Sequence, residues 1–110
     1  MNQFGLTDFE QELIREVLRH HVEVTEAKIF GSRAKGNFQP NSDIDLVLWG
    51  KISLTTLIAI AGELDELPLP YLFDVQAYDA IRHQPLREHI DRVGLSFYTR
   101  SGEPVMARNL

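Results

Sequence analysis

Two aspartates, Asp43 and Asp45, stand at the mouth of the apolar run Leu46-Val47-Leu48, a place where a strand ordinarily excludes charge. Residues two apart in a strand point to the same face. This spacing therefore predicts that Asp43 and Asp45 project together while Ile44, Leu46 and Leu48 enter a core. Two like charges held side by side repel. A hard divalent cation relieves that repulsion, and Mg²⁺ in particular takes one or two carboxylates together with phosphate oxygens. The turn formers Gln39-Pro40-Asn41-Ser42 before the acids predict an exposed loop, and Gly50 closes the strand after Trp49. Whatever the fold, it must offer the open end of a central strand to solvent.

A third acid and a glycine-serine pair extend the pattern. In the predicted strand Tyr71 to Tyr78, Leu72, Asp74 and Gln76 share one face, which leaves Asp74 as a lone carboxylate in apolar surroundings. Beside the first two acids it becomes a third metal ligand or a group that helps deprotonate an attacking hydroxyl; by itself it reads equally as a solvated turn residue. Gly31-Ser32 ends a β-branched segment, Val22 to Phe30, whose second half reads as a strand. Gly31 lets a phosphate approach the backbone, and Ser32 offers an amide and a hydroxyl at the start of a helical turn. Arg33 and Lys35 are candidates to add charge to a polyphosphate, Arg33 through paired hydrogen bonds and Lys35 as a point charge, with solvation the alternative for each. Gly31 and Gly36 have Walker A spacing, but Asn37-Phe38 stands where that motif needs Lys then Ser or Thr. No G-x-G-x-x-G occurs, and Asp43-x-Asp45 lacks the downstream Gly and Glu of a calcium loop.

The remaining segments supply a frame. Thr7-Asp8-Phe9-Glu10 reads as a capping box opening a helix to about His20 or His21, with Phe9, Leu13, Val17, Ile14 and Leu18 as its apolar stripe. Ser53 caps a helix through about Leu67, with Leu54, Leu57, Ile58, Ala61 and Leu64 on one side, stopped by Pro68 and Pro70. Gln84-Pro85 opens a last helix that Gly94 ends, and Leu95 to Tyr98 forms a final strand. The order predicts an α/β protein of the α+β type: a mixed sheet of about four strands with helices packed mainly on one face. Residues 1–110 are expected to form a single domain with a polar tail from about Ser101.

Bulk properties narrow the function further. The 110 residues carry a formal charge of -5, so direct nucleic-acid binding is not expected, whereas a nucleotide held through a metal meets no such obstacle. Cysteine is absent, which excludes disulfides, thiolate nucleophiles and cysteine-ligated zinc. The N-terminus has no secretion signal, and the apolar stretch Leu57 to Ala61 is far shorter than the roughly 20 residues of a membrane helix; a soluble cytoplasmic protein is expected. His20, His21, His83 and His89 share no metal-ligand spacing.

Gly31-Ser32, ten intervening residues and Asp43-Ile44-Asp45 together match the form G-S-x10-D-x-D. With Gly31-Ser32-Arg33-Ala34-Lys35-Gly36, Ser42-Asp43-Ile44-Asp45-Leu46, Phe73-Asp74-Val75 and Leu86-Arg87-Glu88-His89-Ile90 through Tyr98, the chain resembles the DNA polymerase β-like nucleotidyltransferase superfamily. Within it, the chain is most similar to the minimal nucleotidyltransferase (MNT) antitoxins of HEPN/MNT toxin–antitoxin modules. The resemblance implies the nucleotidyltransferase fold, ATP as substrate and Mg²⁺ as metal. It also implies transfer of AMP to a tyrosine hydroxyl of a partner HEPN-domain ribonuclease toxin. Catalytic and metal roles fall on Asp43, Asp45 and Asp74, and nucleotide binding on Gly31, Ser32, Arg33 and Lys35. Lys35 stands where many relatives carry arginine. Two other readings stay open: an antitoxin that only binds, and a transferase acting on a small molecule such as an aminoglycoside.

Overall fold

The computed structural model describes residues 3–100, so the polar tail expected from Ser101 lies outside the described residues. In chain order the elements are α1 (Asp8–Arg19), β1 (Val24–Phe30), α2 (Ser32–Lys35), β2 (Ile44–Gly50), α3 (Leu54–Asp65), β3 (Phe73–Ala77), a 3₁₀ turn (Tyr78–Ala80), α4 (Gln84–Val93) and β4 (Leu95–Thr99). The strands form one mixed sheet in the order β3-β2-β1-β4. β1 runs antiparallel to both β2 and β4. β2 and β3 are parallel, which requires the crossover that α3 supplies.

Local chemistry starts the helices where the sequence predicts. The Glu10 amide donates to Thr7 Oγ1 at 3.1 Å and the Thr7 amide donates to Glu10 Oε1 at 2.9 Å, closing the capping box. The Thr56 amide donates to Ser53 Oγ at 3.1 Å at the start of α3. Pro85 occupies the first turn of α4, where its missing N–H removes no intrahelical bond.

The main core lies between one face of the sheet and the helices α1 and α3. Ile44, Leu46 and Leu48 of β2 are buried there with Ile14, Leu18 and Ile60. The alternate β2 residues face the other way. Val47, with Phe30 of β1, Ile81 and Ile90 of α4, forms a smaller cluster against which Trp49 and Tyr78 also pack. Those two rings stack with centroids 4.6 Å apart and planes inclined by 20°. Helices thus cover mainly one face, and α4 covers part of the second. At the far end of β1 from Gly31, Arg100 donates to the carbonyls of Val24, Arg19 and His21, each at 3.1 Å.

Two helix faces differ from the sequence expectation. Phe9, predicted as core, is 70% exposed and Leu13 is only half-buried; Gln11 takes the inward place at 3% exposure. Two residues along a helix turn the chain by about 200°, so a stripe through Gln11, Ile14 and Leu18 puts Phe9 on the opposite side. Gln11 is tolerated inside because its Nε2 donates to the Leu6 carbonyl at 3.0 Å and its Oε1 accepts from Arg15 at 3.2 Å. In α3 the buried residues are Ile60 and Leu64, while Leu54 and Ile58 are exposed. That helix is apolar nearly all round, so periodicity does not single out its inner face. Among the described residues no helix is long and apolar enough to cross a membrane.

Candidate functional site

The parallel register of β2 and β3 pairs Ile44 with Phe73 and Asp45 with Asp74. Paired residues on neighbouring strands point to the same side, so the third carboxylate stands directly beside the second. Asp43 immediately precedes β2 and is exposed, as is Asp74, whereas Asp45 is half-buried. Burial, followed by the charges of Asp74 and then Asp43, pushes the Asp45 carboxyl above the ordinary aspartate range. All three acids therefore act on one patch at the N-terminal ends of β2 and β3.

On the other side of Asp45, β1 delivers the glycine. Phe30 pairs with Asp45 across the antiparallel ladder, and Gly31 follows it. Gly31 has φ 76° and ψ -154°, a region essentially restricted to glycine. A Cβ built there would lie 2.2 Å from Asp45 Oδ2. The missing side chain lets the Gly31 backbone sit against the carboxylate, so Gly31-Ser32 and the acids form one site. Ser32 begins α2, and in a helix's first turn the amides have no intrahelical acceptor, so those of Ser32 and Arg33 point out of its end. After one turn Gly36, at φ 89°, ends the helix in the left-handed conformation, its amide donating to the Ser32 carbonyl at 2.9 Å.

Arg33 and Lys35 part company. Lys35 is exposed. Arg33, assigned to the nucleotide by sequence, is 2% exposed and turned into the protein. Its guanidinium donates to the carbonyls of Ser42, Phe4 and Pro40 and lies over the rings of Phe38 and Tyr71. The sequence offered no signal for this, because its hydrogen-bond acceptors are backbone carbonyls, which every residue carries.

As a donor set, three carboxylates, a hydroxyl and turn amides suit a hard cation bridged to phosphate oxygens. Among the described residues no three acidic or imidazole side chains are gathered closely enough to hold a metal ion by themselves. Phosphate oxygens would have to complete the shell, which is how Mg²⁺ is ordinarily held at triphosphates.

Comparisons with known proteins bear on the family and the fold. Residues 12–103 match the family model described as Polymerase beta, Nucleotidyltransferase. No curated protein matches the chain by sequence. Among solved structures, the chain is similar to one of a toxin–antitoxin with AMP-PNP, with 20% identity and a TM-score of 0.69 over 81% of this chain and 73% of that one. It is also similar to one of the toxin–antitoxin MntA-HepT, with 17% identity and a TM-score of 0.64 over 94% of this chain and 82% of that one. At such identities these likenesses establish a shared fold.

Proposed function

Since the chain belongs to the polymerase beta nucleotidyltransferase family, we propose that it transfers AMP from ATP to a hydroxyl, that of a tyrosine on a HEPN-domain toxin, and so acts as an antitoxin. The observation that carries the reading is the placement of Asp45 between Asp74, its register partner, and the backbone of Gly31. One carboxylate thereby faces both the strand that would receive the acceptor and the turn that would receive the triphosphate.

Asp43 and Asp45 would hold Mg²⁺, which when bound neutralises charge developing on the phosphates. The amides at the start of α2 and the Ser32 hydroxyl would bind the β- and γ-phosphate oxygens, with Lys35 as an additional cation. Asp74, exposed at the edge strand, would accept the proton of the attacking hydroxyl. The acceptor oxygen forms a bond to the α-phosphorus in line with the departing oxygen, and pyrophosphate leaves with the bonding electrons. Positioning and charge neutralisation suffice for such a transfer, without a covalent enzyme intermediate.

The choice of a protein acceptor is supported by the toxin–antitoxin structures that share the fold, one of them with an ATP analogue. The exposure of Asp74 on an edge strand is compatible with it. In the decisive experiment, the protein is mixed with ATP, Mg²⁺ and a cognate HEPN protein, and the intact mass of the latter is measured. An increment of AMP is expected, absent with Asp43→Asn or Asp45→Asn. Neutralisation of the toxin by the double variant, with the toxin unmodified, would instead make the chain a binding-only antitoxin. ATP consumption with an aminoglycoside alone would make it a small-molecule transferase.

A further inference from the structure

We propose that Arg33 is a positioning residue that aims Asp43 at the metal, and not a ligand of the phosphates. Arg33 Nε and Nη2 both donate to the Ser42 carbonyl, at 3.2 and 2.9 Å. Nη2 also reaches the Pro40 carbonyl at 3.3 Å, and Nη1 donates to the Phe4 carbonyl at 2.8 Å. The guanidinium lies over the rings of Phe38 and Tyr71, 5.2 and 4.8 Å from their centroids.

The Ser42 carbonyl belongs to the peptide plane that ends at the Asp43 Cα. Two N–H groups of one rigid fork on that oxygen fix both its position and the tilt of the plane. On the far side of Asp43, the Ile44 amide donates to the Leu72 carbonyl at 2.9 Å. The Asp43 backbone is thus held from both flanks while its carboxylate stays exposed. Without Arg33 the Ser42 carbonyl would lose the fork that sets this direction, and Ser42 would keep only its bonds to Gln39, from its own amide to the Gln39 carbonyl at 3.0 Å and from the Gln39 amide to its Oγ at 2.8 Å. A lysine cannot substitute, because an ammonium is a point donor on a flexible stem and has no planar fork.

This inference rests on the metal role proposed for Asp43, and its test reads metal binding separately from AMP transfer. Mn²⁺, a paramagnetic stand-in for Mg²⁺, is titrated in the presence of ATP and followed by electron paramagnetic resonance. Inorganic pyrophosphate without metal is titrated by calorimetry, and every variant is melted to establish that it folds. Arg33→Lys is expected to bind Mn²⁺ with ATP about 10- to 100-fold more weakly, as when a group orienting a metal ligand is lost, and metal-free pyrophosphate as the unaltered protein does. Tyr71→Phe, which removes only the Tyr71 hydroxyl's bond to Glu10 at 3.2 Å, is expected to keep the original Mn²⁺ affinity even where its melting temperature falls. Weakened pyrophosphate binding by Arg33→Lys would make Arg33 a phosphate ligand and overturn the proposal. A lowered melting temperature with unchanged Mn²⁺ affinity would do the same, leaving Arg33 a purely structural role. Arg33→Gln serves if the lysine variant does not fold, and failure of both assigns Arg33 to folding alone. If the unaltered protein binds Mn²⁺ with ATP no better than Asp43→Asn/Asp45→Asn does, the functional reading itself falls, an outcome distinct from all the others.

Discussion

Asp45 is half-buried between Asp74 and the Gly31 backbone, and its carboxyl is raised above the ordinary aspartate range by burial and by its two acidic neighbours. A group that binds its proton more tightly folded than unfolded contributes stability that is fully present below the unfolded pKa and lost as pH rises through the folded one. At neutral pH the charged Asp45 therefore works against the metal-free fold. Asp45→Asn is expected to melt higher than the unaltered protein at pH 7.5 in chelator, with the difference shrinking toward pH 4, and to lose Mn²⁺ binding with ATP. A lower melting temperature at pH 7.5 would contradict this account. The neighbouring glycine gives a prediction of opposite sign. Gly31→Ala adds a Cβ 2.2 Å from Asp45 Oδ2 in a backbone region that side chains avoid. Urea unfolding should show a loss of about 1–3 kcal/mol, accompanied by loss of nucleotide binding.

At the scale of elements, what was legible in the sequence depends on how many neighbours decide a residue's place. β2 was legible because alternation, two strand-entry acids and a closing glycine all specify it locally, and the Thr7–Glu10 box marks the start of α1 by chemistry within a single turn. The inner face of α1 was not, since Phe9 and Ile14 are equally apolar and only packing on the sheet chooses between them. Their burial now separates them: Ile14 is fully buried and Phe9 is 70% exposed. Chemical denaturation should therefore give about 2–5 kcal/mol of destabilisation for Ile14→Ala and a change within about 0.5 kcal/mol for Phe9→Ser. Comparable losses from both would put Phe9 back in a core. The same division runs through the site. Gly31, Ser32, Asp43 and Asp45 stand out by spacing, whereas Asp74 joins them only through the β2–β3 register, and the inward turn of Arg33 depends on carbonyls of Phe4, Pro40 and Ser42 that carry no sequence signature.

For the whole molecule, the site lies where three strands of one sheet end together, so ligand binding is coupled to the stability of the entire sheet. Anything that binds only the folded state adds RT ln(1 + [L]/Kd), about 2.7 kcal/mol at a hundredfold excess over Kd. In a domain this size, each kcal/mol moves the melting temperature by about 4–8 °C, so saturating ATP with Mg²⁺ should raise it by about 10 °C or more. Protons and metal compete for the same carboxylates. Because the Asp45 carboxyl takes up its proton above the usual aspartate range, the Mg²⁺-dependent part of the rise should fade on acidification before an ordinary aspartate would protonate. The metal-free protein gains the contribution of protonated Asp45 over the same interval, so the curves with and without Mg²⁺ should converge from both sides. Thermal melts in ATP with Mg²⁺ or with chelator, from pH 7.5 down to 4, measure that convergence. Parallel curves would show that Mg²⁺ does not bind at Asp45, whereas a rise that begins to fade only in the usual aspartate range would mean that neither burial nor the charges of Asp74 and Asp43 raise the Asp45 carboxyl.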